Sequence, residues 1–243
     1  MKKNNNLSVC AYISNSKIQV LTGSYIKNKL TVQNFYEEPL EEGSILNGII
    51  MNAFGLQNAL NEMWQKYNLP RQGVHLVVNG NSINVKPKKI PQAAPDKIPG
   101  LIRTEFRDLD NIQNLLIDYS VINPRNADGS CSVLAVLSTR EFITSYVELF
   151  KEAKIELEVI DLEQNALIKI VKRLKSLQDK TFTFFILDKN MLMQCLFSNN
   201  DFIMTRRSRI LADATDAEFE REVGQNINLS LIHISEPTRL QLI

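Results

Sequence analysis

The sequence is poor in the residues from which most active sites are built. Its 243 residues include two histidines, three cysteines and one tryptophan. Cys10, Cys131 and Cys195 stand singly inside apolar, strand-like runs, and no CxxC pair occurs. Neither a zinc site nor a disulfide framework is therefore signalled, and a reducing cytosol suits the chain. No G-x-S-x-G, H-E-x-x-H or P-loop string occurs. The basic start, Met1-Lys2-Lys3, precedes no apolar run of signal-peptide type. No stretch approaches the roughly 20 apolar residues that span a bilayer. A net charge of +1 argues against bulk nucleic-acid binding and against a strongly acidic partner.

What is present is an ordinary globular composition, 44% hydrophobic and 23% charged, long enough for one large domain or two small ones. The end of the chain stands apart. Leu229 to Arg239 reads Leu-Ser-Leu-Ile-His-Ile-Ser-Glu-Pro-Thr-Arg and resembles the translation of a transposase sequencing adapter. The natural sequence is expected to stop near Asn228, with 229–243 set aside as an artefact tail. That removes His233, and His75 alone is too little for histidine catalysis or a metal centre. His75 is read as structural.

Alternation marks three early strands around Val9–Ile13, Ile18–Thr22 and Leu30–Val32, joined by short turns into a meander. Ala53, Leu56, Leu60, Met63, Trp64 and Tyr67 recur at helical spacing, giving a helix over 52–67 with Trp64 in the core. Asn79-Gly80 predicts a hairpin between strands at 74–79 and 82–87. A proline-rich connection (Pro87, Pro91, Pro95) follows, then a helix capped by Asp96. Strands at 116–122 and 131–137 precede a capping box, Ser138-Thr139-Arg140-Glu141, that opens a helix. A strand at 156–160 leads to Asp161, read as the cap of a further helix. Three more strands, at 182–187, 191–197 and 202–206, form a second meander, and a last helix begins near Asp216. Arg206, Arg207 and Arg209 are read as a solvated strand end rather than a phosphate site, being too few to dominate binding.

Two meanders, each opening a half-molecule, are the mark of the actin, sugar-kinase and Hsp70 architecture. Three local strings narrow this. They are the stretch from Pro39 to Ile50 with its Gly43 and Gly48, Asp118-Tyr119-Ser120-Val121, and Val159-Ile160-Asp161 followed by Ala166-Leu167. In their order and spacing they resemble the PilM family of type IV pilus assembly proteins, over Leu7–Asn228. FtsA and the cytoplasmic domain of the type II secretion protein GspL share the broad architecture.

The resemblance implies an α/β, actin-like (ribonuclease H-like) fold with an inserted 1C-type subdomain and an incomplete, C-terminally truncated second lobe. The first lobe (1A-like) would take 7–85 and 155–178, the inserted 1C-like unit 86–154, and the start of the second lobe (2A-like) 179–228. It also implies a cytoplasmic scaffold, peripheral at the inner membrane, among other pilus-assembly platform proteins. Such a scaffold would bind the cytoplasmic tail of a PilN-like membrane protein in a groove between the first and inserted subdomains. The tail is an extended peptide, so strand addition or groove burial would hold it. No motif places the groove residues.

In this superfamily ATP phosphates lie between two hairpin turns that need glycine for close backbone approach and an aspartate for Mg²⁺. Here the first turn is Tyr12-Ile13-Ser14-Asn15-Ser16-Lys17, with tyrosine for the aspartate and serine for the glycine. The second is Asp188-Lys189-Asn190, which keeps Asp188 but has no glycine. Two readings are open. Ser14, Asn15, Ser16 and Lys17 hydrogen-bond a phosphate while Asp188 holds the metal, or both turns are plain hairpins built from ordinary turn residues. The second fits the joint loss of charge and geometry on which phosphoryl transfer depends. The expectation is a degenerate site with no catalytic or metal-ligating set. The alternative is an active actin-like ATP-binding protein, of FtsA or PilM-ATPase type, that switches or polymerises with nucleotide.

Overall fold

The computed structural model describes residues 7–27, 29–107, 112–212 and 215–235. Elements follow in the order β1 Ser8–Ile13, β2 Lys17–Ile26, β3 Lys29–Pro39, β4 Ile45–Leu46, β5 Ile49–Ile50, α1 Ala53–Lys66, β6 Val74–Val78, β7 Ile83–Pro91 and α2 Ile98–Glu105. Next come β8 Leu115–Asn123, β9 Ser130–Thr139, α3 Arg140–Glu152, β10 Leu157–Leu162 and α4 Glu163–Val171, then β11 Phe182–Asp188, β12 Met191–Ser198, β13 Asp201–Arg209 and α5 Ala217–Ser235. The chain divides into two units, Met1–Arg173 and Leu174–Ile243.

In the first unit a five-stranded sheet runs β10-β6-β1-β2-β3. The meander β1-β2-β3 is antiparallel, while β6 and β10 lie parallel to β1. Val9, Ala11 and Ile13 of β1 and Ile18 and Val20 of β2 point to one face and are fully buried there, against Leu56, Leu60, Met63 and Trp64 of α1. Burying side chains of this size stabilises by about 1.5–3 kcal/mol each. Asn52 caps α1 by accepting the Gly55 N–H at 2.9 Å, and the Trp64 indole donates to Pro70 O at 3.0 Å.

The inserted segment has its own sheet, β7-β9-β8, packed on α2 around Ile90, Ile102, Phe106, Val133 and Leu137. α3, expected inside the inserted range 86–154, buries Phe142, Tyr146, Leu149 and Phe150 in the first core instead. Its amphipathic face fits α1 and the ends of the large sheet.

Local turn chemistry misleads at four places. Asn79-Gly80 is no hairpin: β6 pairs with β1 and β10, and β7 pairs with β9. β7 runs on through Pro87 to Pro91 because it is an edge strand, where a missing N–H is tolerated. α2 has Lys97, not Asp96, at its cap position, without a side-chain bond, and α4 likewise follows Leu162 rather than Asp161. Thr139 does cap α3, accepting the Phe142 N–H at 3.3 Å.

The second unit opens with the expected meander β11-β12-β13. Phe182, Phe184, Phe197 and Phe202 pack ring on ring, with centroids 5.3 to 6.2 Å apart. The Glu222 carboxylate of α5 accepts the Leu211 and Ala212 N–H groups. The backbone of α5 continues through Ser235, and 236–243 lie outside the described residues.

Candidate functional site

Ser14, Asn15, Ser16 and Lys17 form the turn between β1 and β2. Its polar groups are turned on one another. Ser14 is 1% exposed, and its Oγ accepts the backbone N–H of Ser16 and of Lys17, both at 3.2 Å. The Ser14 N–H donates to Lys17 O at 3.0 Å. Asn15 Oδ1 accepts the Gly48 N–H at 3.3 Å, and Lys17 Nζ pairs with Glu37 at 3.0 Å. No residue of this turn has a positive φ, so it lacks the backbone nest that turns several N–H groups toward one anion.

Asp188 lies in the second unit, at the end of β11 opposite Met191 of β12. The next residue, Lys189, sits at φ 51 without being glycine, and Asn190 O accepts the Ile210 N–H at 2.7 Å. The turn is a tight two-residue hairpin pinned to the end of β13.

A cluster missed by sequence reasoning lies where the parallel strands end. Tyr12 is near the carboxyl end of β1, Asn79 follows β6, and Glu163 follows β10. The Tyr12 hydroxyl donates to Glu163 Oε1 at 2.9 Å, and Asn79 Nδ2 donates to Tyr12 Oη at 2.8 Å and to Glu163 Oε2 at 3.1 Å. Glu163 is 8% exposed, and a carboxylate so buried needs donors of this kind. The carboxyl ends of such strands are where open α/β sheets bind ligands. Here the hydroxyl of Tyr12 is bonded to the Glu163 carboxylate at those strand ends.

Beside this cluster the β4–β5 turn is fixed from several sides. Asn47 O accepts the Asn81 N–H at 3.2 Å, and the buried Tyr146 hydroxyl donates to Gly48 O at 2.7 Å. Gly48 has φ +82, and a Cβ there would lie 2.1 Å from Asn79 O.

The second candidate is a cleft of about 230 Å³ between the small sheet and the large one. One wall is the face of β8 and β9 turned away from α2, where Leu116, Asp118 and Ser120 pair with Ser138, Val136 and Leu134. Ile143 of α3 also lines it, and Ile160, Asp161 and Leu162 of β10 make the opposite wall. Among the described residues β8 and β10 are each the last strand of their sheet, so both borders of the cleft carry backbone groups without a ladder partner there. Asp161 is held by Lys169 Nζ at 2.5 Å and Asn165 Nδ2 at 2.7 Å. Burial pushes its carboxyl up, but the Lys169 ammonium, the Asn165 amide and the Leu162 N–H outweigh that and hold it below the ordinary aspartate value. One signal for this cleft was in the sequence: β9 is apolar on both faces, with Cys131, Val133, Ala135 and Leu137 serving α2 and Leu134 and Val136 left over.

A family model described as type IV pilus assembly protein PilM matches residues 11–224. No match was found among the curated proteins. Among solved structures the chain is similar to a chain of the PilM–PilN type IV pilus biogenesis complex, at 16% identity and a TM-score of 0.72, covering 96% of this chain and 69% of that one. It is also similar to the cytoplasmic domain of EpsL, an inner membrane component of the type II secretion system of Vibrio cholerae, at 9% identity, a TM-score of 0.50 and coverages of 84% and 71%. A Bacteroides thetaiotaomicron protein with an actin-like ATPase fold and unknown function gives 10% identity, a TM-score of 0.52 and coverages of 94% and 78%. The fold is actin-like.

Proposed function

The chain belongs to the type IV pilus assembly protein PilM family, and we propose that it acts there as a scaffold that takes the extended cytoplasmic tail of a PilN-like membrane protein into the cleft between its two sheets. The observation that carries this is the cleft itself. It joins a sheet face that carries Leu134 and Val136 beside Asp118 and Ser120 to two strand edges that have no ladder neighbour among the described residues, which suits an extended peptide that pairs through its backbone. The solved complex it resembles is one of PilM with PilN. No helix among the described residues is long and apolar enough to cross a membrane, and attachment through such a tail would hold the scaffold at the cytoplasmic face of the inner membrane, beside the other platform proteins. In this reading the large sheet, within 7–85 and 155–178, supplies one wall of the cleft, the β7-β9-β8 sheet within 86–154 the other, and 179–228 begins a second lobe.

In the same reading the nucleotide site is degenerate. Ser14 Oγ already takes two of the turn's amides, and a hydroxyl replaces the carboxylate that would hold Mg²⁺ through water. The residues present do not fit a magnesium-bound triphosphate, and no catalytic step is assigned. One observation favours the alternative of an active ATP-binding protein: the buried Glu163 carboxylate stands at the ends of three parallel strands.

Fluorescence anisotropy with a labelled PilN-like tail tests the cleft. Val136→Lys, which puts a cation on its apolar wall, is expected to weaken binding at least about tenfold, or 1.4 kcal/mol. Undiminished binding by that variant overturns the assignment. Calorimetry with ATP and Mg²⁺ is expected to give no saturable heat, and a micromolar, Mg²⁺-dependent affinity would establish the alternative.

A further inference from the structure

We propose that Asp118 selects the tail by charge, taking a lysine or arginine side chain of a basic, extended segment paired along the edge of β8. This rests on the tail-binding reading of the cleft and names what the cleft recognises. The charged side chains that line the cleft are Asp118 and Asp161, both acidic. Asp161 is spent on its own wall, where Lys169 and Asn165 hold it. Asp118 is exposed and forms no ion pair among the described residues. Its Oδ1 accepts the N–H of the next residue, Tyr119, at 2.8 Å. Aspartate is among the residues least suited to a strand, so a carboxylate in the middle of β8 with no cation beside it points to a partner outside the chain.

The position suits a cation carried on an added strand. Asp118 stands between Leu116 and Ser120 on the cleft face, opposite Val136 of β9. The outer edge of β8 is closed at one end, where Lys172 Nζ donates to Ile122 O at 2.9 Å, which leaves 116–120 for pairing. A strand added there turns alternate side chains into the cleft, one of them directly beside Asp118. A lysine or arginine at that place lays its methylenes on the wall made by Leu116 and Val136 and brings its charge to the carboxylate. The sign of the occupant follows from where a membrane-anchored tail lies: cytoplasmic segments within about 15–20 residues of a span carry an excess of Lys and Arg. A neutral or acidic segment would leave the Asp118 carboxylate without a counter-charge.

Fluorescence anisotropy with two labelled peptides tests this, the PilN-like tail and the same tail with each lysine and arginine replaced by glutamine. Asp118→Asn keeps the shape of the side chain and can still accept the Tyr119 N–H. It is expected to weaken the native tail about two- to fivefold, the range of a partly exposed ion pair, and to leave the neutral tail unchanged. Added salt should weaken the native tail more steeply on wild type than on Asp118→Asn. Asp118→Lys should weaken the native tail further, and should bind a tail with glutamate at the basic positions better than wild type does. Equal loss for the native and neutral tails, no loss for either, or no rescue by the acidic tail overturns the role of Asp118 and leaves the cleft in place. If wild type binds none of the tails, the cleft reading fails and this inference falls with it.

Discussion

The Tyr12 hydroxyl donates to the Glu163 carboxylate at 2.9 Å, tying the end of the first strand to a residue 151 positions later. Tyr12→Phe removes one donor to this buried carboxylate, to which Asn79 still donates. The expected cost is about 1–3 kcal/mol, the penalty for an under-satisfied buried acceptor, read as a lower urea midpoint with unchanged slope. Glu163→Gln should cost less in the Tyr12→Phe background than alone, because the two residues share one interaction. Strict additivity would show that the hydrogen bond does not contribute to folding.

Two glycines with the same backbone angle provide a controlled comparison. Gly43 and Gly48 have φ +81 and +82, but a Cβ on Gly43 meets nothing within 4 Å, whereas one on Gly48 would lie 2.1 Å from Asn79 O and 2.7 Å from Gly80 Cα. Gly43→Ala is expected to cost only the left-handed strain, about 1–2 kcal/mol. Gly48→Ala adds a collision with backbone on both sides of the Asn79–Gly80 peptide and should cost at least about 2 kcal/mol more. Equal melting points for the two variants would mean that the β4–β5 turn moves freely away from the strand end.

Gly48 also shows where the sequence was legible. Periodicity placed α1 and the second meander within a few residues, because alternation and helical spacing are local consequences of one buried face, but it stopped the third strand of the first meander at Val32 where β3 runs on to Pro39. Asn79-Gly80 carries the strongest hairpin signature in the chain and is not a hairpin. Gly80 is small there because Asn47 O and the Phe142 ring each lie 3.0 Å from where its Cβ would be. A dipeptide cannot reveal that its strand will be flanked by two parallel neighbours. Asp161 was misread for the same reason: its carboxylate is taken by Lys169 and Asn165. Tyr12 stood out in the sequence only as a missing aspartate. Its partners Asn79 and Glu163, 67 and 151 residues away, were invisible to any local pattern.

Alkaline stability should respond to Tyr146. Its ring is fully buried, and burial pushes its phenol well above the ordinary tyrosine value. The folded state therefore holds this proton more tightly than the unfolded chain. Its contribution is fully present below the unfolded value of about 10 and is lost as pH rises from there through the folded value. Wild type should lose stability above about pH 10, and Tyr146→Phe should show a shallower loss over the same range. At neutral pH the variant should be less stable, since Gly48 O loses the hydroxyl that donates to it at 2.7 Å. Parallel pH profiles for the two proteins would contradict the assignment.

Asp161 gives the opposite slope. Its carboxyl is held below the ordinary aspartate value although burial alone would raise it, so the folded state favours the ion. That contribution is fully present above the unfolded value of about 3.9 and disappears as pH falls through the depressed folded value. Asp161→Asn keeps the shape of the cleft wall and can still accept from the Asn165 amide, but it leaves the Lys169 ammonium without its anion. The variant should be less stable than wild type at neutral pH, and the gap should close as pH drops below about 4. Urea midpoints at neutral and acid pH measure both. Tail binding at neutral pH provides a separate readout. If the carboxylate serves only to fix the start of α4, Asp161→Asn should leave affinity nearly unchanged while Val136→Lys abolishes it. If affinity falls for both, the charge on this wall is part of what the tail recognises.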